Sequence, residues 1–222
     1  MKFNLLAITL LLITLLINSC NTKDVQPQTQ LLPNGDLEQD PSKQWSLVYR
    51  DNLPGNPNKY KAEYSTEAAA SGTHSLKISC DTIRNDTTHC FFLREITPGS
   101  LATGAKLTLK TKVKTVDLKG TGLTIVLFGY KVYNTGSKVV FSTYTPVPAK
   151  GTTDFTEYTV VQDKYPGGVD YIYVALFYEA KTTGKAYFDD IFLTADWGGE
   201  KSDTGHLGSR IISKPIVKNA TP

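Results

Sequence analysis

Alternation of apolar and charged residues is the feature that most restricts the fold of this chain. Between Ala105 and Val116, apolar or small side chains recur at every second position, with lysines at most positions between them. The first set comprises Leu107, Leu109, Thr111 and Val113, and the second comprises Lys106, Lys110, Lys112 and Lys114. A period of two residues places the two sets on opposite faces of a β-strand. This segment is therefore predicted to be a strand with one buried and one wet face.

Further segments show strand patterns, and clusters of Gly, Pro, Asn and Asp separate them. They are Ser75 to Cys80, Phe91 to Ile96, Leu123 to Val132, Val139 to Tyr144, Thr156 to Gln162, Tyr171 to Glu179 and Ala186 to Leu193. Outside the N-terminal region, no stretch has a helical period. Many short strands with turns between them are typical of an antiparallel sandwich. The predicted fold class is all-β, an antiparallel β-sandwich.

The N-terminal region has the pattern of an export signal. Leu5 to Ile17 is almost continuously apolar after Lys2, but it is shorter than the ~20 residues that a transmembrane helix needs. It fits the apolar core of a signal peptide. The following Ile17-Asn18-Ser19-Cys20 resembles the bacterial lipobox, which implies cleavage before Cys20 and lipid on its thiol. The alternative is an ordinary secretory signal followed by an incidental cysteine.

Composition divides the chain into four predicted parts. Residues 1–19 form the signal peptide, and the Gln-, Thr- and Pro-rich residues 20–30 form a lipidated flexible tether. Residues 31–195 form the β-sandwich domain. Residues 196–222 form a polar tail whose only apolar docking points are Trp197 and Ile211-Ile212.

Charge and cysteine content narrow the partners and the redox chemistry. The formal net charge is +3, and no basic block exists, so nucleic acid and acidic lipid receive no electrostatic support as partners. Of the three cysteines, Cys20 is assigned to lipid, and export permits a disulfide between Cys80 and Cys90. Such a bridge would contribute about 2–3 kcal/mol. Two free thiols are the alternative, and no tetrahedral zinc spacing is present.

Several segments in order resemble a known family. They are Pro33 to Glu38 followed by Trp45, Ser71 to Ile78, Leu93 to Ser100, Asp154 to Tyr158, and Gly184 to Leu193. This order resembles the carbohydrate-binding modules of the cellulose- and xylan-binding type, within the galactose-binding-like fold group. The resemblance covers Leu31 to about Thr194 and implies a jelly-roll sandwich. Leu37 and Phe155 depart from the usual aromatic and Trp of the family, and Arg50 to Glu67 matches no part of the pattern.

The resemblance implies a structural calcium ion. In the family, the glutamate of the opening motif and an aspartate of the closing pair help to bind it, and these positions are Glu38 and either Asp189 or Asp190. Adjacent strand residues point to opposite faces, so only one aspartate is expected to join Glu38. Asp190 is preferred, with Tyr187, Asp189 and Ile191 expected on the other face. The alternative is that these acids cap turns or pair with lysines.

The candidate glycan-binding residues are aromatic, because sugars stack their apolar faces on aromatic rings in concave sites. They are Tyr130, Tyr133, Tyr144, Tyr171 and Tyr173, with Glu179 expected on the same face as Tyr173. The competing interpretation is that these rings fill the core or belong to ordinary surface. Trp45 is expected in the core.

No catalytic group is expected, and no catalytic cofactor. Asp189 and Asp190 are adjacent, whereas glycosidase carboxyls face one bond from two sides. The chain has neither a G-x-S-x-G nor an H-E-x-x-H motif. The predicted function is non-catalytic glycan binding by a lipoprotein of the cell envelope, at the outer membrane or cell surface. The alternatives are a structural or adhesion module that binds a protein partner in the envelope, or an accessory subunit that has lost sugar binding.

Overall fold

The computed structural model describes residues 29–50 and 56–196. Within them the chain forms strands almost throughout, apart from one short 3-10 helix at Pro41–Lys43. The strands are β1 Thr29–Gln30, β2 Trp45–Arg50, β3 Lys61–Ser65, β4 Ser75–Cys80, β5 His89–Ile96, β6 Lys106–Lys119, β7 Leu123–Tyr133, β8 Gly136–Val147, β9 Gly151–Gln162, β10 Tyr171–Tyr178 and β11 Thr183–Asp196.

The strands form two antiparallel sheets. The first sheet has the order β3-β4-β11-β6-β9, and β1 pairs with β11. The second sheet has the order β2-β5-β10-β7-β8. The predicted fold class, an all-β antiparallel sandwich of jelly-roll type, is confirmed.

The alternation read from the sequence separates the core from the wet surface. Leu107, Leu109 and Val113 of β6 are fully buried between the sheets. The outward lysines of the same strand pair with acids, for example Lys110 with Glu157 of β9 at 2.9 Å and Lys112 with Asp190 of β11 at 2.9 Å. The long strand therefore lies as predicted, with aliphatic side chains inward and cations in water.

Two edge strands were missed by the sequence patterns. Strand β3 falls inside the segment that the family pattern does not cover, and its sequence K-A-E-Y-S is too polar and short to signal a strand. Strand β2 begins at Trp45, which is buried in the core as predicted. Edge strands lack a partner on one side, and so they tolerate the polar residues that hide them from pattern reading.

The predicted disulfide is not present, because Cys80 and Cys90 are both free and buried. Cys80 ends β4 in the first sheet, and its sulfur lies 3.4 Å from the carbonyl oxygen of Asn58. Cys90 lies on β5 in the second sheet. Burial raises the pKa of both thiols, so they stay protonated. The structure therefore shows the alternative, two free thiols.

The predicted signal peptide, the lipidation site Cys20, nearly all of the tether and the C-terminal tail lie outside the described residues. Between residues 29 and 50 and between 56 and 196, there is no helix with the length and hydrophobicity to cross a membrane.

Candidate functional site

The outer face of the second sheet carries a patch of aromatic side chains. Ile172, Val174 and Leu176 of β10 point into the core. Alternation therefore turns the other residues of the strand outward, namely Tyr171, Tyr173, Ala175 and Phe177. Outward residues of the flanking strands β5 and β7 lie beside them in register. The three central strands thus present one continuous face.

This face contains a hollow with a volume of about 510 Å³. Its lining residues come from β5, β7 and β10: His89, Phe91, Leu93, Phe128, Tyr130, Tyr173 and Phe177. We call it the aromatic hollow. Because it is built on paired central strands rather than on loops, its shape is fixed by the sheet.

Two stacked ring pairs form opposite walls of the aromatic hollow. The rings of Phe91 and Phe177 lie 4.4 Å apart at 25°, and those of Phe128 and Tyr173 lie 5.2 Å apart at 16°. Tyr173 and Phe177 are four residues apart on one strand, a distance of about 13 Å. Ala175 lies between them. Its side chain is fully covered by its neighbours and does not itself line the hollow.

His89 lies beside the wall of Phe91 and Phe177, whereas the other polar groups of the aromatic hollow lie beside Tyr173. Tyr173 Oη donates a hydrogen bond to Glu95 Oε2 at 2.6 Å. Burial, together with this hydrogen bond, raises the pKa of Tyr173, so the phenol stays protonated. The ring of Tyr130 meets Tyr173 edge-on at 5.8 Å. A ligand would therefore find apolar walls and, at one side, a carboxylate and phenol groups that can bind hydroxyls.

A second hollow of about 480 Å³ adjoins the first. Its lining includes Tyr171, whose ring lies 6.3 Å from that of Tyr173. Asp170 also lines it, and this carboxylate accepts hydrogen bonds from Lys131 Nζ at 2.9 Å and from the Val132 N–H at 2.8 Å. The face therefore offers room for a ligand longer than one sugar ring.

The predicted tyrosines separate into three groups. Tyr130 and Tyr173 line the aromatic hollow, and Tyr171 lines its neighbour. Tyr133 and Tyr144 are highly exposed and line neither hollow. The structure brings together three of the five predicted rings.

Glu179 was predicted on the same face of the strand as Tyr173, but it lies beyond the end of that strand. Strand β10 ends at Tyr178, and the N–H of Glu179 donates to the carbonyl of Gly122 at the far end of the sheet. Six residues of strand separate it from Tyr173 by about 20 Å. The acid beside Tyr173 is Glu95, which comes from the neighbouring strand and could not be identified by spacing along the chain.

Sequence reasoning missed His89, Phe91, Phe128 and Phe177. The signal for Phe177 was available, because it continues the alternation that turns Tyr171 and Tyr173 outward. The others needed the register between strands. That register pairs Phe91 with Phe177 and Phe128 with Tyr173.

The predicted calcium ligands hold a loop, residues 70–74, through hydrogen bonds. Glu38 Oε1 accepts from the N–H groups of Thr73 and His74, each at 2.9 Å, and Oε2 accepts from Thr73 Oγ1 at 2.9 Å. These hydrogen bonds, led by that from the Thr73 N–H, lower the pKa of Glu38 to about 2. Glu38 is therefore ionised at neutral pH.

The two aspartates, on β11, accept hydrogen bonds from the same loop. Asp189 Oδ2 accepts from the N–H groups of Ala70 at 2.6 Å and Ser71 at 3.2 Å. Asp190 accepts from Ser71 Oγ at 2.6 Å and pairs with Lys112 at 2.9 Å. Only one aspartate was expected to join Glu38, yet both contact the loop that Glu38 holds, because a bulge interrupts β11 here and Asp190 has a φ of 47°.

The same bulge corrects the predicted facing of Ile191. Simple alternation placed it on the outer side with Tyr187 and Asp189, yet it is fully buried in the core. Its N–H donates to the carbonyl of Gly35 at 2.7 Å. An extra residue in one strand shifts the alternation by one position, and a sequence pattern of period two does not show it.

The donors around these three acids do not fit a bound calcium ion. Each of the six carboxylate oxygens accepts from an N–H, an O–H or the Lys112 ammonium. Calcium instead needs six to eight oxygen ligands directed at it. In the described part of the chain, no group of three or more His, Cys, Asp or Glu side chains is arranged to hold a metal. Calcium binding stays a prediction.

Comparison with protein-family models finds no match, and neither does comparison with curated proteins. Solved structures do resemble the chain. The enzymatically active domain of bacteriophage CBA120 tailspike protein 4 has a TM-score of 0.53 at 15% identity, over 75% of this chain and 21% of that one. The chain therefore spans only a small part of that protein.

Two smaller proteins are similar over nearly their whole length. A Stig cyclase from Fischerella sp. TAU, solved with (3Z)-3-(1-methyl-2-pyrrolidinylidene)-3H-indole, has a TM-score of 0.51 at 12% identity, over 77% of this chain and 98% of that one. A family 16 carbohydrate-binding module has a TM-score of 0.49 at 19% identity, over 73% of this chain and 98% of that one. The likeness to the cyclase, at 12% identity, shows a shared fold alone.

Proposed function

We propose that this protein binds a glycan in the aromatic hollow and does no chemistry on it. The observation that carries the proposal is the pair of stacked ring walls, Phe91 with Phe177 and Phe128 with Tyr173, on either side of Ala175. Pyranose rings have apolar C–H faces that pack on aromatic rings. Their hydroxyls would meet Glu95 and the phenols of Tyr130 and Tyr173.

The order of motifs from Leu31 to Thr194 supports the same function. It resembles carbohydrate-binding modules in sequence, independently of the geometry of the hollow. The adjoining hollow beside Tyr171 favours a polysaccharide over a single sugar, because a chain could continue across it. The affinity at each site would be modest, since an open face buries little of its ligand.

We further propose that lipid on Cys20 holds the protein in the cell envelope, at the outer membrane or cell surface. The support is the apolar run Leu5 to Ile17 followed by the lipobox-like residues. In this arrangement the protein would capture glycan beside other envelope proteins.

Binding to a polysaccharide panel in gel retardation and on a glycan array tests the glycan proposal. Tyr173→Ala should weaken binding roughly tenfold or more, because one buried aromatic contact is worth about that factor. Tyr133→Ala is the matched control, since Tyr133 lies outside both hollows. Equal binding by the two variants, at unchanged circular dichroism, would contradict the proposal.

A small apolar molecule is the second candidate ligand. Four of the seven side chains that line the aromatic hollow are hydrocarbons: Phe91, Leu93, Phe128 and Phe177. One structural neighbour is a cyclase solved with an indole compound. Indole titrated into the protein distinguishes the two ligand classes. Binding of indole that Ala175→Leu abolishes, with no retention on any polysaccharide, would favour this candidate.

A further inference from the structure

The hairpin of β7 and β8 extends beyond the rest of its sheet. Strand β10 begins at Tyr171, which pairs with Tyr130. The pairs Lys131–Lys138, Val132–Ser137 and Tyr133–Gly136 lie past that point and have no neighbour on β10. We call residues 131–140 the hairpin tip. It projects about 10 Å past β10.

The hairpin tip carries four exposed apolar side chains around a polar turn, with Val139 level with Tyr171 at its base. The exposed fractions are 50% for Val132, 53% for Tyr133, 43% for Val139 and 39% for Val140. Val132 and Tyr133 are consecutive, so they lie on opposite faces of the ribbon. Val132 also lines the second hollow, so one face of the ribbon borders that hollow and the other face carries Tyr133. Such exposed clusters mark interaction surfaces.

The hairpin tip is held outward rather than folded back. Asp170 accepts hydrogen bonds from the Val132 N–H and from Lys131 Nζ. The carboxylate therefore fixes the base of the ribbon to the start of β10. A fixed ribbon loses little conformational freedom when it docks, which favours binding.

The N-terminal end of the described chain lies at one identifiable end of the first sheet. Thr29 of β1 pairs with Ala195, the penultimate residue of β11. The next residue, Asp196, pairs with Lys106 at the start of β6. The chain therefore enters the sandwich, and leaves it after Asp196, at this end of the first sheet.

The hairpin tip lies at the same end of the sandwich. Tyr165 links the two sheets there: its N–H donates to the carbonyl of Ala105, and its ring packs edge-on against Phe141 at 6.1 Å. Phe141 pairs with Gly129, at the base of the hairpin tip. Thr29, where the described chain begins, and the hairpin tip therefore lie at the same end of the sandwich.

We propose that the hairpin tip inserts into the surface of the bilayer that holds the lipid on Cys20. Thr29 follows Cys20 by nine residues, a span of at most about 30 Å when fully extended. A lipid at that distance keeps this end of the sandwich against the membrane. Valine side chains beside a tyrosine and Lys138 suit the interface, where rings and lysine stems sit with their polar ends in water.

The insertion would orient the whole domain. Because the hairpin tip lies at a strand end, the strands would stand upright on the membrane. The aromatic hollow lies on the side of the sandwich, so it would open parallel to the bilayer and stay accessible to soluble polysaccharide. The inference rests on the proposed lipid anchor, but not on the identity of the ligand.

Fluorescence of the lipidated full chain in phosphatidylcholine vesicles tests the insertion. Tyr133→Trp places a reporter in the hairpin tip, and Tyr144→Trp is the matched control, since Tyr144 is 67% exposed on the same hairpin but nearer mid-sheet. With brominated acyl chains in the vesicles, we expect emission of the Tyr133→Trp variant to shift to the blue and lose intensity relative to wild type. The control should match wild type.

Three results would overturn the proposal. Equal quenching of the two variants would show no preferred insertion. A blue shift of the Tyr133→Trp variant without quenching would mean that protein, such as residues 197–222, rather than lipid covers the hairpin tip. Flotation is measured separately. Failure of wild type to float with the vesicles would overturn the proposed lipid anchor as well. Adding Val132→Asp to Tyr133→Trp should abolish the quenching, because a charge resists entry into the bilayer.

Discussion

At the scale of single residues, Ala175 shapes the ligand face as much as the rings around it. It pairs with Leu93 on one side and Val126 on the other, between the two ring walls. Because its side chain is fully buried, a larger side chain here would have to displace the neighbouring side chains of this face.

We expect Ala175→Leu to weaken ligand binding by roughly tenfold or more, because it displaces the ligand from its apolar contacts. The melting temperature should fall by a few degrees while the protein stays folded, since the added carbons overpack a buried position. Calorimetry or gel retardation measures the binding, and thermal melting measures the fold. Wild-type affinity in this variant would show that ligands do not enter between the walls.

Glu38 is the second residue whose chemistry can be tested directly. Its pKa falls from an ordinary 4.5 to about 2 in the folded protein, chiefly through the Thr73 N–H. A carboxyl with a lowered folded pKa contributes stability above its unfolded pKa, and this contribution is lost as the pH falls toward the folded value.

We therefore expect wild type to be more stable than Glu38→Gln at neutral pH, and the difference to shrink as the pH falls from about 5 to about 2. Urea unfolding of both proteins across this range measures it. A difference that stays constant down to the lowest pH would mean that the charge of Glu38 contributes nothing.

At the scale of elements, loop 70–74 is held by three acids from two distant segments. Glu38 follows β1, and Asp189 and Asp190 lie at the bulge of β11. Gly72 is required at the centre of the loop. It has a φ of 57°, and a Cβ there would lie 2.3 Å from the Glu38 carboxyl carbon.

Chelation distinguishes a hydrogen-bonded loop from a calcium-bound one. We expect a chelator to leave the melting temperature unchanged, because donors of the protein already occupy the carboxylate oxygens.

Gly72→Ala should lower the melting temperature, because the new methyl group displaces Glu38. Gly99→Ala is a control, since Gly99 also has a positive φ but nothing lies within 4 Å of its Cβ position. A chelator-dependent fall in wild type would restore the calcium that the family resemblance implies.

At the scale of the whole molecule, the sandwich has two differently built outer faces. The first sheet presents lysines paired with acids, such as Lys114 with Asp154 at 2.9 Å. The second sheet presents the aromatic hollow. A charged, paired face stays in water, whereas an aromatic face can exchange water for a ligand, so we expect the proposed binding on the second sheet alone.

We expect Cys20→Ala to remove the protein from the envelope membrane fraction, because the acyl chains supply its membrane affinity. Fractionation followed by immunoblotting measures this, and Cys80→Ala is the control that keeps the lipobox. Membrane retention of the Cys20→Ala variant with a processed N-terminus would contradict lipid anchoring. The hairpin tip alone is too small to hold the protein there.

Patterns along the chain predicted the eight strands that carry the core, since a strand with one buried face repeats its apolar residues every second position. β6 and β10 are examples, and both were assigned the correct inward face. The pattern did not reveal β3, nor the bulge at Asp190, because a polar edge strand and a single inserted residue leave no periodic trace.

The sequence by itself determined the fold class, the inward faces of the main strands and the outward position of Tyr171 and Tyr173. Only the tertiary structure decided that Phe91, Phe128 and Phe177 join Tyr173, and that Glu95 rather than Glu179 is the partner of Tyr173. It also decided that Cys80 and Cys90 are free thiols. The physical reason is that alternation is a local property of one strand. A binding face depends on strand order and register, which bring together residues far apart in the chain.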